Sequence, residues 1–357
     1  MNRTSRFAVV GIAAALTLTG CAGQTEGNGT AAAADSLLPA AEGATEYPLT
    51  LDTAWGETTL EERPERIVTL TADGTSTEEL LALGGVPAAS TAIEDTFVWL
   101  DAELVERIET QVPADPQADP YPLETIAAAD PDLIVINDDL TDHYEQLSEI
   151  APVLSVDRNS VPEGENRWET TIPALGEALD LQQTAADAMA AYDETIAGVR
   201  QEHPEFTGKT ATYVVYFGKE YGMNYESTDG ADPSHLLQEL GFERNPKAEQ
   251  FSGGAVNDKS ASTVSEEQLS EIDADVLIMS DNSEGSITDI TGNSLYQSLG
   301  AVTSGHDLII TNNFTDYAID GETHQGNLPW AFARTSLLGK AWAAEQLAAP
   351  LGAKLTS

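Results

Sequence analysis

One pattern occurs twice in this chain, and it limits the folds available more than any other feature. The segment from Leu123 to Ile136 lies over the segment from Glu266 to Met279 without a gap. Each copy carries a glutamate two residues before an aliphatic residue, Glu124 with Ile126 and Glu267 with Leu269. An Asp-x-Asp turn follows, at Asp130 to Asp132 and at Asp273 to Asp275, and then an apolar run, Leu133 to Ile136 and Val276 to Met279. Both copies read as a short helix, a turn and a buried strand. A unit repeated on either side of one connector predicts two equivalent lobes.

The connector lies between the copies. From Pro173 to about His203 the chain has no internal proline and places Leu175, Leu179, Ala186, Met189, Tyr192, Ile196 and Val199 at helical spacing. This predicts a continuous helix of ~45 Å, stiff enough to brace two lobes. Further short apolar runs, at Ile67 to Leu70, Val153 to Val156, Ala211 to Phe217 and Leu308 to Thr311, alternate with helix-like stretches. That alternation predicts α/β layers with largely parallel sheets. A helix is expected from Thr77 to Leu83, closed by Gly84 and Gly85. The polar stretch 312–330 reads as a long binding loop.

Sixty acidic residues against 16 basic ones give a net charge of −44. Nucleic acid is therefore excluded as a partner, because phosphate binding needs clustered Lys and Arg. The same field favours neutral or cationic ligands over polyanions, and the scattered acids also serve as a solvated surface. There is one cysteine, Cys21, so no intramolecular disulfide forms. It ends a leader that opens with Arg3 and Arg6 and continues through an apolar run from Phe7 to Leu18. That run is short for a membrane span and suits a secretory signal. The stretch Leu18-Thr19-Gly20-Cys21 resembles the lipobox of bacterial lipoproteins, which implies cleavage before Cys21 and acylation of its thiol.

The opening from Trp55 to Leu60, then Pro64 to Val68 and Glu78 to Gly84, resembles the start of periplasmic binding proteins for iron–siderophore, haem and cobalamin uptake. So do Leu123 to Ile134, Leu147 to Val153, and Leu236 to Phe242. The resemblance implies two Rossmann-like α/β lobes joined by a single long helix, with the ligand in the cleft between them. The expected layout is a signal peptide over 1–20, a flexible tether over 21–46, one lobe over 47–170, a connecting helix over 171–204 and a second lobe over 205–357. It implies a lipid-anchored protein on the outer face of the cell membrane that captures a ferric siderophore for the permease of an ABC importer. Haem and cobalamin are the alternatives within that class. In such proteins one exposed glutamate per lobe docks on the permease, and Glu124 and Glu267 occupy the matching positions.

In open α/β sheets the ligand crevice lies at the carboxyl ends of the strands. Candidates on the loops there are Trp99, Arg158, Tyr216, Tyr221, Trp330 and Arg334. Aromatic faces with a few guanidinium groups suit a bulky, partly apolar iron chelate. The five histidines are dispersed and form no spaced pair, so neither a resident metal nor another cofactor is expected. No Gly-x-Ser-x-Gly or His-Glu-x-x-His motif occurs, so the reading is not of an enzyme, a lipid-anchored hydrolase with a dispersed carboxylate pair being the alternative. A monomer is expected.

Overall fold

The computed structural model of the protein describes residues 36–53, 55–71, 73–91, 93–112, 121–137, 140–155, 166–227, 231–251, 262–283, 285–312, 315–334 and 336–356. Cys21, the signal peptide and Arg158 lie outside them. The folded unit begins at Leu37, before the tether-to-body boundary expected at 46 and 47.

A hairpin of β1 (Leu49–Thr53) and β2 (Gly56–Leu60) precedes the first sheet. That sheet takes β3 (Ile67–Thr69), β4 (Ala89–Ser90), β5 (Thr110–Gln111), β6 (Leu133–Val135) and β7 (Val153–Leu154) in the order β5-β4-β3-β6-β7, all parallel. Its inner strands β3 and β6, with β7, are short, largely aliphatic runs that are fully buried, as parallel sheets require, while β5 at the edge is polar and partly exposed. From β3 the chain steps outward to β4 and β5, then returns to β6 on the other side, so the topological switch point lies between β3 and β6.

The second sheet has eight strands: β8 (Thr210–Tyr216), β9 (Met223–Tyr225), β10 (Glu243–Arg244), β11 (Thr263–Val264), β12 (Val276–Asp281), β13 (Asp307–Asn312), β14 (Asp316–Ile319) and β15 (Glu322–Gln325). β8, β10, β12 and β13 are parallel, while β9, β11, β14 and β15 pair antiparallel. The expected loop over 312–330 is therefore largely a hairpin. Ile319 pairs with Glu322, and both residues between them have positive φ, Asp320 at 51° and Gly321 at 87°. That is the two-residue turn whose twist matches the strands it joins.

The repeat seen in the sequence is the repeat of the fold. Asp132 Oδ2 and Oδ1 accept from the backbone N–H groups of Glu65 and Arg66, at 2.8 and 2.9 Å, where β3 begins. Asp275 Oδ2 accepts from the N–H of Thr210, at 2.8 Å, where β8 begins. In each lobe the second aspartate of the Asp-x-Asp turn ties the start of one parallel strand to the start of its neighbour.

The spine is two helices instead of one. We number as α1 the helix Thr75–Ala82, α2 Leu123–Ala128, α3 Trp168–Ala178 and α4 Gln182–Glu202. α3 starts before Pro173 because Trp168, Thr171 and Ile172 are buried and extend its inner face. It ends in a Schellman turn, with Leu181 N–H donating to Gly176 O at 2.7 Å and Asp180 N–H to Glu177 O at 3.3 Å. Asp180 takes the left-handed position, φ 53°, that glycine usually fills. Residues 37–47 strap across this turn. The Asp180 carboxylate accepts from the N–H groups of Gly43, Ala44 and Thr45 at 2.8 to 2.9 Å. In return Glu42 caps α4, accepting from Gln183 N–H at 2.6 Å and Thr184 N–H at 2.9 Å. Leu38 is buried in the main core.

Two last helices, α5 (Leu328–Ala333) and α6 (Leu337–Thr356), close the second lobe, and α6 packs on both α4 and α1. The main core is continuous from Ile67 of β3 to Ile278 of β12, so the two lobes share apolar packing at their base.

Candidate functional site

The lobes meet where the carboxyl end of β3 faces the turn between α5 and α6. On the first lobe, Gly74 adopts φ 81° and lets the chain pass from β3 into α1. This turn presents Asp73. On the second lobe, Asn327 caps α5, accepting from Trp330 N–H at 3.2 Å, and its side chain also accepts from Asn312 Nδ2 at the end of β13, at 3.0 Å. Trp330 and Arg334 are thereby positioned from the carboxyl end of the second sheet.

Arg334 Nη1 donates to Asp73 Oδ2 at 3.3 Å, and the Arg334 guanidinium carbon lies 3.6 Å from the centroid of the Trp330 ring. Phe97 stacks beside Trp330 at 6.4 Å. Trp330 is partly exposed, as is Arg334. This sets a cation over an aromatic face at the mouth of two sheets, a platform between the lobes.

Behind this platform lies a buried polar seam. Asp73 Oδ1 accepts from the Thr75 hydroxyl at 2.7 Å, and Thr75 Oγ1 accepts from Arg167 Nη2 at 2.9 Å. Burial pushes the Asp73 carboxyl up, but the Arg167 guanidinium, the Thr75 hydroxyl and Arg334 outweigh it and hold the group below the ordinary carboxylate range. Glu78 accepts from Trp99 Nε1 at 2.8 Å and from the Ser336 hydroxyl. Glu79 accepts from Thr171 Oγ1 at 2.6 Å and Asn137 Nδ2 at 2.9 Å. Burial pushes each of these two carboxyls up to about 7. Lys340, fully buried on α6, donates to Asn166 Oδ1. Among the described residues there is no group of three or more His, Cys, Asp and Glu side chains suited to hold a metal ion.

Of the candidates named from sequence, the junction brings together Trp99, Trp330 and Arg334. Trp99 is packed between lobes, stacked on Phe97 at 4.9 Å and against Trp342 of α6 at 5.3 Å, which makes it a rivet as much as a ligand surface. Tyr216 lies elsewhere. Side chains alternate along β8, so Tyr213 packs toward Phe332 of α5 while Val214 and Tyr216 join the core on the opposite face of the sheet. Tyr221 is 73% exposed in the turn between β8 and β9. Asp73, Glu78, Glu79, Arg167 and Lys340 escaped the sequence reading. Their signals were faint: an aspartate just past a buried strand, and a lysine in the first turn of a largely apolar helix.

Residues 67–312 match the model of the family described as "Periplasmic binding protein". The chain belongs to the periplasmic binding protein family. This periplasmic binding protein is 28% identical over 251 residues to the probable siderophore-binding lipoprotein YfiY of Bacillus subtilis, covering 68% of this chain and 74% of the relative. It is 28% identical over 217 residues to the ferric enterobactin-binding periplasmic protein FepB of Escherichia coli, covering 57% of this chain and 64% of that one. Among solved structures, a periplasmic solute binding protein from Mycobacterium smegmatis superposes with a TM-score of 0.66 at 23% identity, over 86% of this chain and 98% of the other. The family's members are binding proteins, and its two-lobed architecture is the one described above.

Proposed function

We propose that this protein captures a ferric siderophore outside the cell membrane and delivers it to the permease of an ABC importer. The observation that carries the reading is the Arg334–Trp330 platform at the lobe junction, flanked by Phe97, in a chain whose relatives YfiY and FepB are named for siderophore binding. The rings cover an organic skeleton, and the guanidinium reaches the oxygens around the iron. The ligand is cargo, and the reading involves no turnover.

The leader ending at Cys21 supports acylation there, with residues 1–20 removed and the body held at the outer face of the membrane. Such a tether raises the local concentration of loaded protein near its permease. Glu124 and Glu267 are the docking contacts in this reading. Each is exposed at the second position of its helical segment, α2 and the 3₁₀ turn Glu266–Ile272, in structurally equivalent places on the two lobes.

The test is tryptophan fluorescence of the full chain titrated with ferric hydroxamate, catecholate and citrate chelates, haemin and cobalamin. Saturable quenching by a ferric chelate and not by its iron-free form is expected. Response to haemin or cobalamin alone, or to none, overturns the reading.

A further inference from the structure

The cation that faces the junction already has a carboxylate partner. Arg334 sits over Trp330 and is ion-paired to Asp73 at 3.3 Å. Asp73 in turn is fixed from behind by Thr75, which is held by the buried Arg167. A guanidinium paired in this way keeps its hydrogen-bonding edge, while the carboxylate offsets part of its positive field. The surroundings add acids. Glu94 and Asp95 are exposed on the loop that carries Phe97 and Trp99.

Resting on the siderophore reading, we propose that Asp73 sets the charge selectivity of the site: by pairing Arg334 over Trp330 it fits the protein to uncharged ferric hydroxamate chelates and disfavours polyanionic ones. Charges beyond ~8 Å are screened at physiological ionic strength, so the groups at the junction decide this more than the total of the chain. An uncharged chelate lies on the ring and accepts from the guanidinium edge with the Asp73 pair intact. A trianion faces the rim acids and has to draw Arg334 away from Asp73. That leaves a carboxylate only 8% exposed with its compensation reduced, which is costly.

The experiment compares affinities of the full chain for ferrichrome, which is uncharged, ferric enterobactin, which is a trianion, and ferric citrate, in the wild type, Asp73→Asn and Asp73→Glu. The wild type is expected to prefer ferrichrome over ferric enterobactin by at least about 100-fold. Asp73→Asn is expected to narrow that preference at least about tenfold, chiefly by tightening the trianion, and Asp73→Glu to restore it. A wild type that prefers either anionic chelate overturns the charge assignment and leaves the siderophore reading standing; binding of none of the three overturns both. An Asp73→Asn protein that loses both affinities in equal proportion makes Asp73 structural and overturns its role in selectivity.

Discussion

Glu78 of the first lobe and Ser336 of the second share a hydrogen bond across the lobe junction, although the two residues are separated by 258 positions in sequence. Trp99 Nε1 donates to the same carboxyl oxygen. A buried acid thus joins a loop of one lobe to the start of α6.

This acid has a readable pH signature. Its folded value, about 7, lies above the ordinary 4.5, so between those limits the folded state holds a proton that the unfolded chain has lost. Stability from this group is present below 4.5 and falls as pH rises toward 7, by about 3 kcal/mol at most. Urea unfolding at pH 5 and pH 7.5 should show greater stability at pH 5, and Glu78→Gln should shrink that difference. An unchanged difference would place the pH dependence in Glu79 and the other acids.

Gly326 of the second lobe lies close against Val98 of the first. Its φ is +107°, and a Cβ there would lie 2.7 Å from Val98 Cγ2 and 3.2 Å from the Trp342 ring. Gly326→Ala is therefore both strained and overpacked, and should cost about 2–4 kcal/mol in urea unfolding. Truncation of Val98 in the same protein should recover only the packing part.

The platform itself is tested by truncation. Trp330→Ala and Arg334→Ala should each weaken chelate binding by about tenfold or more, and Arg334→Ala should also lower the thermal midpoint, because it removes an ion-pair partner from the nearly buried Asp73. Equal affinities in wild type and variants would remove the platform from the binding surface.

Docking separates from capture. The double variant Glu124→Ala with Glu267→Ala should abolish iron uptake by cells and leave ligand affinity within about twofold, since neither residue lies at the junction and exposed surface substitutions rarely alter a distant site. Lost affinity in the purified variant would count against the docking assignment.

Much of this architecture can be read from the chain, because the strands are apolar runs and the repeat keeps its register through Asp132 and Asp275. The two-residue turn at Asp320 and Gly321 is equally legible as a hairpin signal, yet it is masked by the polar composition of the stretch around it. The break in the spine is harder to see. Helices announce such an end with glycine, whereas here Asp180 adopts the left-handed conformation and is supported by backbone groups from residues more than a hundred positions away. Glu78 and Glu79 were hidden for another reason. In a chain with 60 acidic residues, two adjacent glutamates at the start of a helix read as solvent-facing acids, and only the packing of α6 and α3 over them reveals otherwise. Trp330 and Arg334 were legible as types but not as a pair, since their partner Asp73 comes from the other end of the chain.

If the body is lipid-anchored as proposed, the strap over Asp180 bears on where it can be cut free. A protease that cuts ahead of Leu37 would shed a complete receptor, with Leu38 still seated and Glu42 still capping α4. A cut a few residues later would release a body lacking the clasp at the turn of its own spine. The start of the strap is therefore also the line between a cut body that keeps its clasp and one that loses it.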